Sequence, residues 1–332
     1  MRRARIKVEG EGFYHVVSRI GGRRLLIDET EKRVLLGMIR SAAAFCGVEL
    51  YTFAIMSNHF HLLVRVPRKR DVPDAELVRR MEALYGKPRL SKVLEKWEKW
   101  KKKSQESRVE EEKARLRARM YDLSQFCKTF KETYTQDYNR RHDNTGTIWE
   151  GRFKSILLEG SYRAMMTVAG YIHLNPVRAK MAESAEKAKC AGYGAACQGD
   201  SLAIAGLVSL ARRVLGSDVA SWDDARGACA EVIRGRVPES PDSHGAPEDG
   251  NDDASSSTVQ APADVSCRSD SFQSLLNRRV AGFLHGGVLG GDNFLKRMSE
   301  ILPQRARRKS SGVLDKCGFL GFATASGVRE VS

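Results

Sequence analysis

The sequence predicts an α+β fold, a ferredoxin-like (split βαβ) core with an antiparallel sheet and a C-terminal, mostly helical extension. Three observations predict it. Alternating apolar stretches and helical-period stretches follow one another in the order β-α-β-β-α-β. Two of the strand-like runs are separated only by Ser57-Asn58, a break short enough to demand an antiparallel hairpin. A further amphipathic stretch follows the last strand and ends at Asn175-Pro176.

The elements follow in order. Gly12-Phe13-Tyr14-His15-Val16-Val17-Ser18-Arg19 is rich in β-branched and aromatic residues and stops at Gly21-Gly22, so it reads as a strand and a turn. With Asp28 as N-cap, Val34, Leu35, Met38, Ile39, Ala42 and Phe45 recur at three- and four-residue spacing and share one helical face until Gly47. Val48 to Met56 and His59 to Val66 are the hairpin strands. Asp74 to Leu84 is helical by spacing, and residues from about 87 to 120 form a charge-dense helical insertion without a continuous apolar face. Leu123, Phe126, Cys127, Phe130, Tyr134 and Tyr138 then define an amphipathic helix. Phe153 to Leu158 supplies another strand, and Ser161 caps a helix through Met165, Met166, Val168, Ala169 and Ile172.

Residues 1–182 are therefore expected to form the main domain. Residues 183–237 are a helical extension, with helices over Leu202 to Leu215 and Asp223 to Ile233. A Pro/Ser/Asp-rich tract over 238–271 cannot bury enough apolar surface to order itself and reads as a linker. Residues 272–332 are expected to be a small helical segment with a basic tail, Arg305 to Lys309.

A formal net charge of +15 suits a polyphosphate partner, although charge alone does not separate nucleic acid from other acidic surfaces. No apolar run approaches the roughly 18 residues that cross a bilayer, and the basic start leads into no apolar signal core. No membrane association and a cytoplasmic location are expected. Seven cysteines, with no Cys-x-x-Cys pair, read as reduced thiols.

His59-Phe60-His61 lies within an apolar strand, so period two points both imidazoles to one face, half of a divalent-metal site. Taken alone, the pair is equally compatible with two surface histidines on a half-exposed sheet. Tyr171 and Asn175 are four apart and share a helical face. Taken alone, they are a packing tyrosine and a helix-terminal asparagine. Should that face abut the histidines, Asn175 brings an oxygen ligand and Tyr171 a hydroxyl about one turn away. Arg140, Arg141, Arg152, Lys154 and Arg178 bracket the site in sequence and are candidates for phosphate contacts, with Trp149, Tyr138 or Phe153 as stacking surfaces for unpaired bases.

Four ordered segments resemble the single-tyrosine HUH transposases, and among them the REP-associated tyrosine transposases. They are Tyr14 to Arg19, Met56-Ser57-Asn58-His59-Phe60-His61-Leu62-Leu63-Val64, Thr145 to Ser155, and Tyr171-Ile172-His173-Leu174-Asn175-Pro176-Val177-Arg178-Ala179. The resemblance covers roughly residues 5–182, without the charged insertion or the tract after 238. It implies a metal-dependent single-stranded DNA endonuclease and strand-transferase acting on hairpin-forming DNA. It implies Mg2+ or Mn2+ on His59, His61 and Asn175, with Tyr171 as a nucleophile that becomes linked to a 5′ phosphate. Relatives occur as monomers and as homodimers, so either state is compatible. A non-catalytic protein that binds hairpin nucleic acid with the same sheet is the alternative. HUH replication initiators and relaxases match the order of strand hairpin and tyrosine helix less well.

Overall fold

The computed structural model describes residues 6–219, 221–235, 287–301, 310–311 and 323–325. Its sheet begins with β1 (Gly12–Arg19), which pairs antiparallel with both β3 (His59–Val66) and β4 (Lys154–Leu158); β2 (Glu49–Ile55) pairs with β3 as the hairpin requires. The order β2-β3-β1-β4 is that of a split βαβ core. A short strand β5 (Val288–Gly290) adds parallel to β4, and β6 (Ser310–Ser311) and β7 (Ala323–Ala325) continue the sheet beyond it.

Helix α1 (Glu29–Cys46) begins where Asp28 accepts a hydrogen bond from the Glu31 amide and ends at Gly47, whose φ of 65° is the left-handed cap that a Cβ would strain. α4 (Leu123–Arg141) is capped by Asp122, which accepts from the amides of Ser124 and Gln125. The two crossover helices pack on each other and on one face of the sheet, where Phe130 of α4 meets Phe60 of β3. The buried carboxylate of Glu31 joins them, accepting from Arg141, His142 and Tyr134.

Between α1 and α4, α2 (Asp74–Lys101) and α3 (Glu106–Arg117) form the charged insertion. The helix predicted to end near Leu84 extends much further, with a break at Gly86 (φ 71°, ψ 161°) and Pro88 two residues beyond it. Pro88 starts the second stretch, where its missing N–H costs little. The insertion is helical as expected but is not merely solvated, since Leu90, Trp97, Val109 and Leu116 are buried in the main core. Each pair is seven residues apart, a stripe only one residue wide among charges, which the sequence pattern does not reveal.

The other face of the sheet carries α5 (Tyr162–His173), the short α6 (Asn175–Arg178), α7 (Gly192–Cys197), α8 (Ser201–Leu215) and α9 (Trp222–Ile233). Ser161 occupies the N-cap position of α5, but its hydroxyl donates to Glu159 instead of accepting from the helix. α8 approaches β2 so closely that a Cβ on Gly206 would lie 2.6 Å from the Leu50 carbonyl oxygen and 2.7 Å from that of Tyr51. The linker expected over 238–271 and the basic cluster Arg305 to Lys309 lie outside the described residues. Of the helical segment expected over 272–332, α10 (Asp292–Ile301) is described, and the same stretch also supplies β5, β6 and β7, which join the edge of the sheet.

Candidate active site

Register decides which side chains meet. Val17 stands opposite His61, and Arg19 opposite His59, so period two puts His15, Val17, Arg19, His59 and His61 on one face. His15 sits diagonally from His61, within reach of a ring. The His15 Nε2 and His61 Nδ1 atoms are 2.9 Å apart, and their rings stack at 5.1 Å between centroids and 18° between planes. His59 lies edge-on to His61 at 5.1 Å, and its Nδ1 is 2.7 Å from Asn58 Oδ1.

α5 lays Tyr171 across this face. Its ring lies edge-on to His61 at 5.9 Å and to His15 at 6.2 Å, and the residue is only 1% exposed. Two residues on, His173 fixes the helix to the sheet: its Nε2 is 2.8 Å from Thr52 Oγ1 on β2, and its ring stacks on Tyr193 of α7. Asn175 Nδ2 donates to the Tyr171 carbonyl oxygen at 3.2 Å, which leaves Oδ1 as the ligand atom of the amide. Arg178 donates to the same carbonyl at 2.7 Å and places its guanidinium carbon 4.2 Å from the Tyr171 ring centroid. The structure thus joins His59, His61, Tyr171 and Arg178, keeps Asn175 beside the tyrosine backbone, and adds His15, which carries no role in the sequence reading.

Burial is the first cause holding His61 well below the usual imidazole pKa, with His15, His59, Arg178 and Arg19 adding positive-charge repulsion. A neutral imidazole is what a metal ligand requires. Among the described residues no three His, Cys, Asp or Glu side chains cluster as a metal site. Two imidazoles and an amide would therefore leave most coordination positions to substrate oxygens and water, a donor set that fits Mn2+ or Mg2+ in an open site.

The expected nucleic-acid contacts divide. Lys154 stands opposite Val17 on the histidine face and is exposed, as is Arg152 before it. Arg140 is exposed and pairs with Asp137 at 2.6 Å, at the C-terminal end of α4 on the opposite face. Arg141 is held on that side by Glu31 and Asp137. Trp149 is buried there, edge-on to Phe60, and donates from Nε1 to Thr135 Oγ1 at 2.9 Å. Arg178 packs over the tyrosine. A cleft of about 910 Å³ between α4 and residues 146–153 is lined by Lys128, Lys131, Trp149, Arg152 and Phe153.

β1 and β3 thus present His15, His59 and His61 on one face of the sheet, with Tyr171 of α5 edge-on to His15 and His61. Residues 11–108, which carry β1 to β3 and both histidines, match the family described as "Transposase IS200 like". The matched stretch, under a third of the chain, is similar to that family and carries the first two of the four motifs, Tyr14 to Arg19 and Met56 to Val64. The match also runs into the charged insertion, which the motif resemblance does not include. No curated protein matches the chain. The chain is similar to a solved structure of a REP-associated tyrosine transposase bound to a REP hairpin, with a TM-score of 0.38 and 14% identity, covering 59% of this chain and 84% of that one. Among the described residues no helix is long and apolar enough to cross a membrane.

Proposed function

We propose that this protein is a transposase, a metal-dependent single-stranded DNA endonuclease and strand-transferase that acts on hairpin-forming repeat DNA through Tyr171. The observation that carries the reading is the placement of the Tyr171 ring against His61 and His15, from an element more than 100 residues away in sequence. Binding alone needs no such convergence.

In the reaction, Tyr171 Oη attacks phosphorus, the Oη–P bond forms and the P–O3′ bond breaks. The phenolic proton leaves, and the departing 3′ oxygen takes one up as a hydroxyl. The 5′ phosphate stays on the tyrosine, so its bond energy is conserved for rejoining to another 3′ end and no nucleotide triphosphate is needed. A phenol with an ordinary pKa near ~10 is a weak nucleophile at neutral pH. A bound divalent ion would supply Lewis-acid polarisation and orientation of the phosphate, held by His59, His61 and Asn175. Arg178, over the tyrosine ring, adds positive charge where the phosphate must arrive. Lys154 adds positive charge at the start of β4, Arg152 adds it to the cleft beside α4, and the exposed Arg23 and Arg24 flank the turn before His59.

One observation favours the alternative, a hairpin-binding protein without cleavage: Tyr171 is covered, so DNA must open the site to reach it. The experiment is incubation of the purified protein with single-stranded hairpins from the palindromic DNA flanking its gene, with Mg2+, Mn2+ or EDTA. Metal-dependent nicking with a covalent adduct supports the enzyme. Hairpin binding that is indifferent to metal and to His59→Ala, with no nicking, supports the alternative.

A further inference from the structure

Both histidines of the pair are gripped from behind at the same ring atom, and the grips come from two different places. Asn58 Oδ1 lies 2.7 Å from His59 Nδ1, while Asn58 Nδ2 donates to the Arg23 carbonyl at 3.0 Å. The second bond fixes which way the amide points, because only its nitrogen can donate. An amide oxygen only accepts, so His59 must carry its proton on Nδ1. His61 Nδ1 is 2.9 Å from His15 Nε2, within a fully buried, stacked ring pair. A hydrogen bond between two neutral imidazoles needs one proton, on either His61 Nδ1 or His15 Nε2.

We infer that His15 and Asn58 are positioning residues that hold His61 and His59 in the Nδ1–H tautomer, so that both rings offer Nε2 as donor on the Tyr171 face. The inference rests on the metal reading above and names the residues that make the site competent. Free imidazole side chains favour the opposite tautomer, so a matched Nδ1–H pair has to be imposed. A ligating histidine usually gives its other N–H to a carboxylate, carbonyl or water. Here an amide oxygen takes that part for His59 and a third histidine takes it for His61. The strand register explains the choice: the position diagonal to His61 is deep in the sheet, where a carboxylate would be costly to bury. Asn58 also ties the His59 ring to the loop that carries the exposed Arg23 and Arg24.

Two measurements on the full chain test this. Long-range proton–nitrogen correlation on 15N-histidine protein, free of metal and at neutral pH, reads the tautomers, with His59→Gln and His61→Gln assigning the signals. Nδ1–H at both rings is expected; Nε2–H at His61 or at His59 would overturn the inference. Titration with Mn2+, followed by electron spin resonance, then reads affinity. His15→Phe, which keeps a stacking ring but offers no acceptor, is expected to weaken Mn2+ about 10–100-fold, as is Asn58→Ala. His15→Gln, whose Oε1 can reach the place of Nε2, is expected to recover most of the loss. Equal affinity in wild type and His15→Phe, with folding confirmed by circular dichroism, would overturn the role of His15. Failure of the wild type to bind Mn2+ would count against the metal reading itself, and the tautomers would still decide the positioning claim.

Discussion

Glu31→Gln tests how firmly the scaffold behind the site is held, and through it the assignment of Arg141. Burial alone would raise the Glu31 carboxyl, but hydrogen bonds from Arg141, His142 and Tyr134, with the Arg141 charge, outweigh it and bring the pKa from 4.5 to about 2. The folded state therefore binds this proton more weakly than the unfolded chain. The resulting stabilisation is complete above the unfolded pKa of 4.5 and is lost as the pH falls towards 2. A depression of this size corresponds to about 3 kcal/mol at neutral pH. Urea denaturation of wild type and Glu31→Gln at several pH values is the assay. The variant should be less stable by about 3 kcal/mol at pH 7, and the gap should narrow steadily below pH ~4.5. A gap under ~1 kcal/mol at neutral pH, or one independent of pH, would refute the view that this ion cluster ties α1 to α4.

Other expectations follow from the same geometry. Arg141→Ala should lower stability while leaving the salt dependence of DNA binding unchanged, whereas Arg152→Ala and Lys154→Ala should each flatten the log–log salt slope for single strands by about 0.7 for every phosphate no longer neutralised; filter binding over a salt series separates them. Trp149→Ala should cost about 3–5 kcal/mol in denaturant unfolding, because its ring is packed on Phe60 and Tyr134. Gly206→Ala should destabilise by about 1–3 kcal/mol, since its Cβ would press on the backbone of β2, and limited proteolysis should cut the α8 region earlier.

Much of this molecule is legible in local sequence because the signals involved are local. Period-two alternation locates β1 to β3 and aligns His59 with His61, and the four-residue spacing pairs Tyr171 with Asn175 on one helical face, although only the packing of α5 on the sheet brings Tyr171 to the histidines. His15 stands in the first strand in plain view, yet its partnership with His61 depends on a register between strands more than 40 residues apart, which no local pattern encodes. Arg141 and Trp149 read as nucleic-acid contacts because they lie near the site residues in sequence. Glu31, 110 residues from Arg141, and the underside of the sheet at Phe60 decide otherwise. The stripe Leu90, Trp97, Val109 and Leu116 is hidden for a different reason: one buried residue per two turns barely shifts a helical pattern dominated by charge. β5 is three residues long and takes its conformation from the edge of β4, so its own sequence carries little signal.

Tyr171 is the residue expected to become joined to DNA. Nicking of a cognate hairpin with Mn2+, nuclease trimming and tandem mass spectrometry of the tryptic digest would locate the linkage. A nucleotide 5′ phosphate is expected on Tyr171 within the peptide beginning at Ala164, with no adduct from a folded Tyr171→Phe protein. An adduct on another residue, Tyr162 or Tyr193 for instance, or one that persists in Tyr171→Phe, would contradict it.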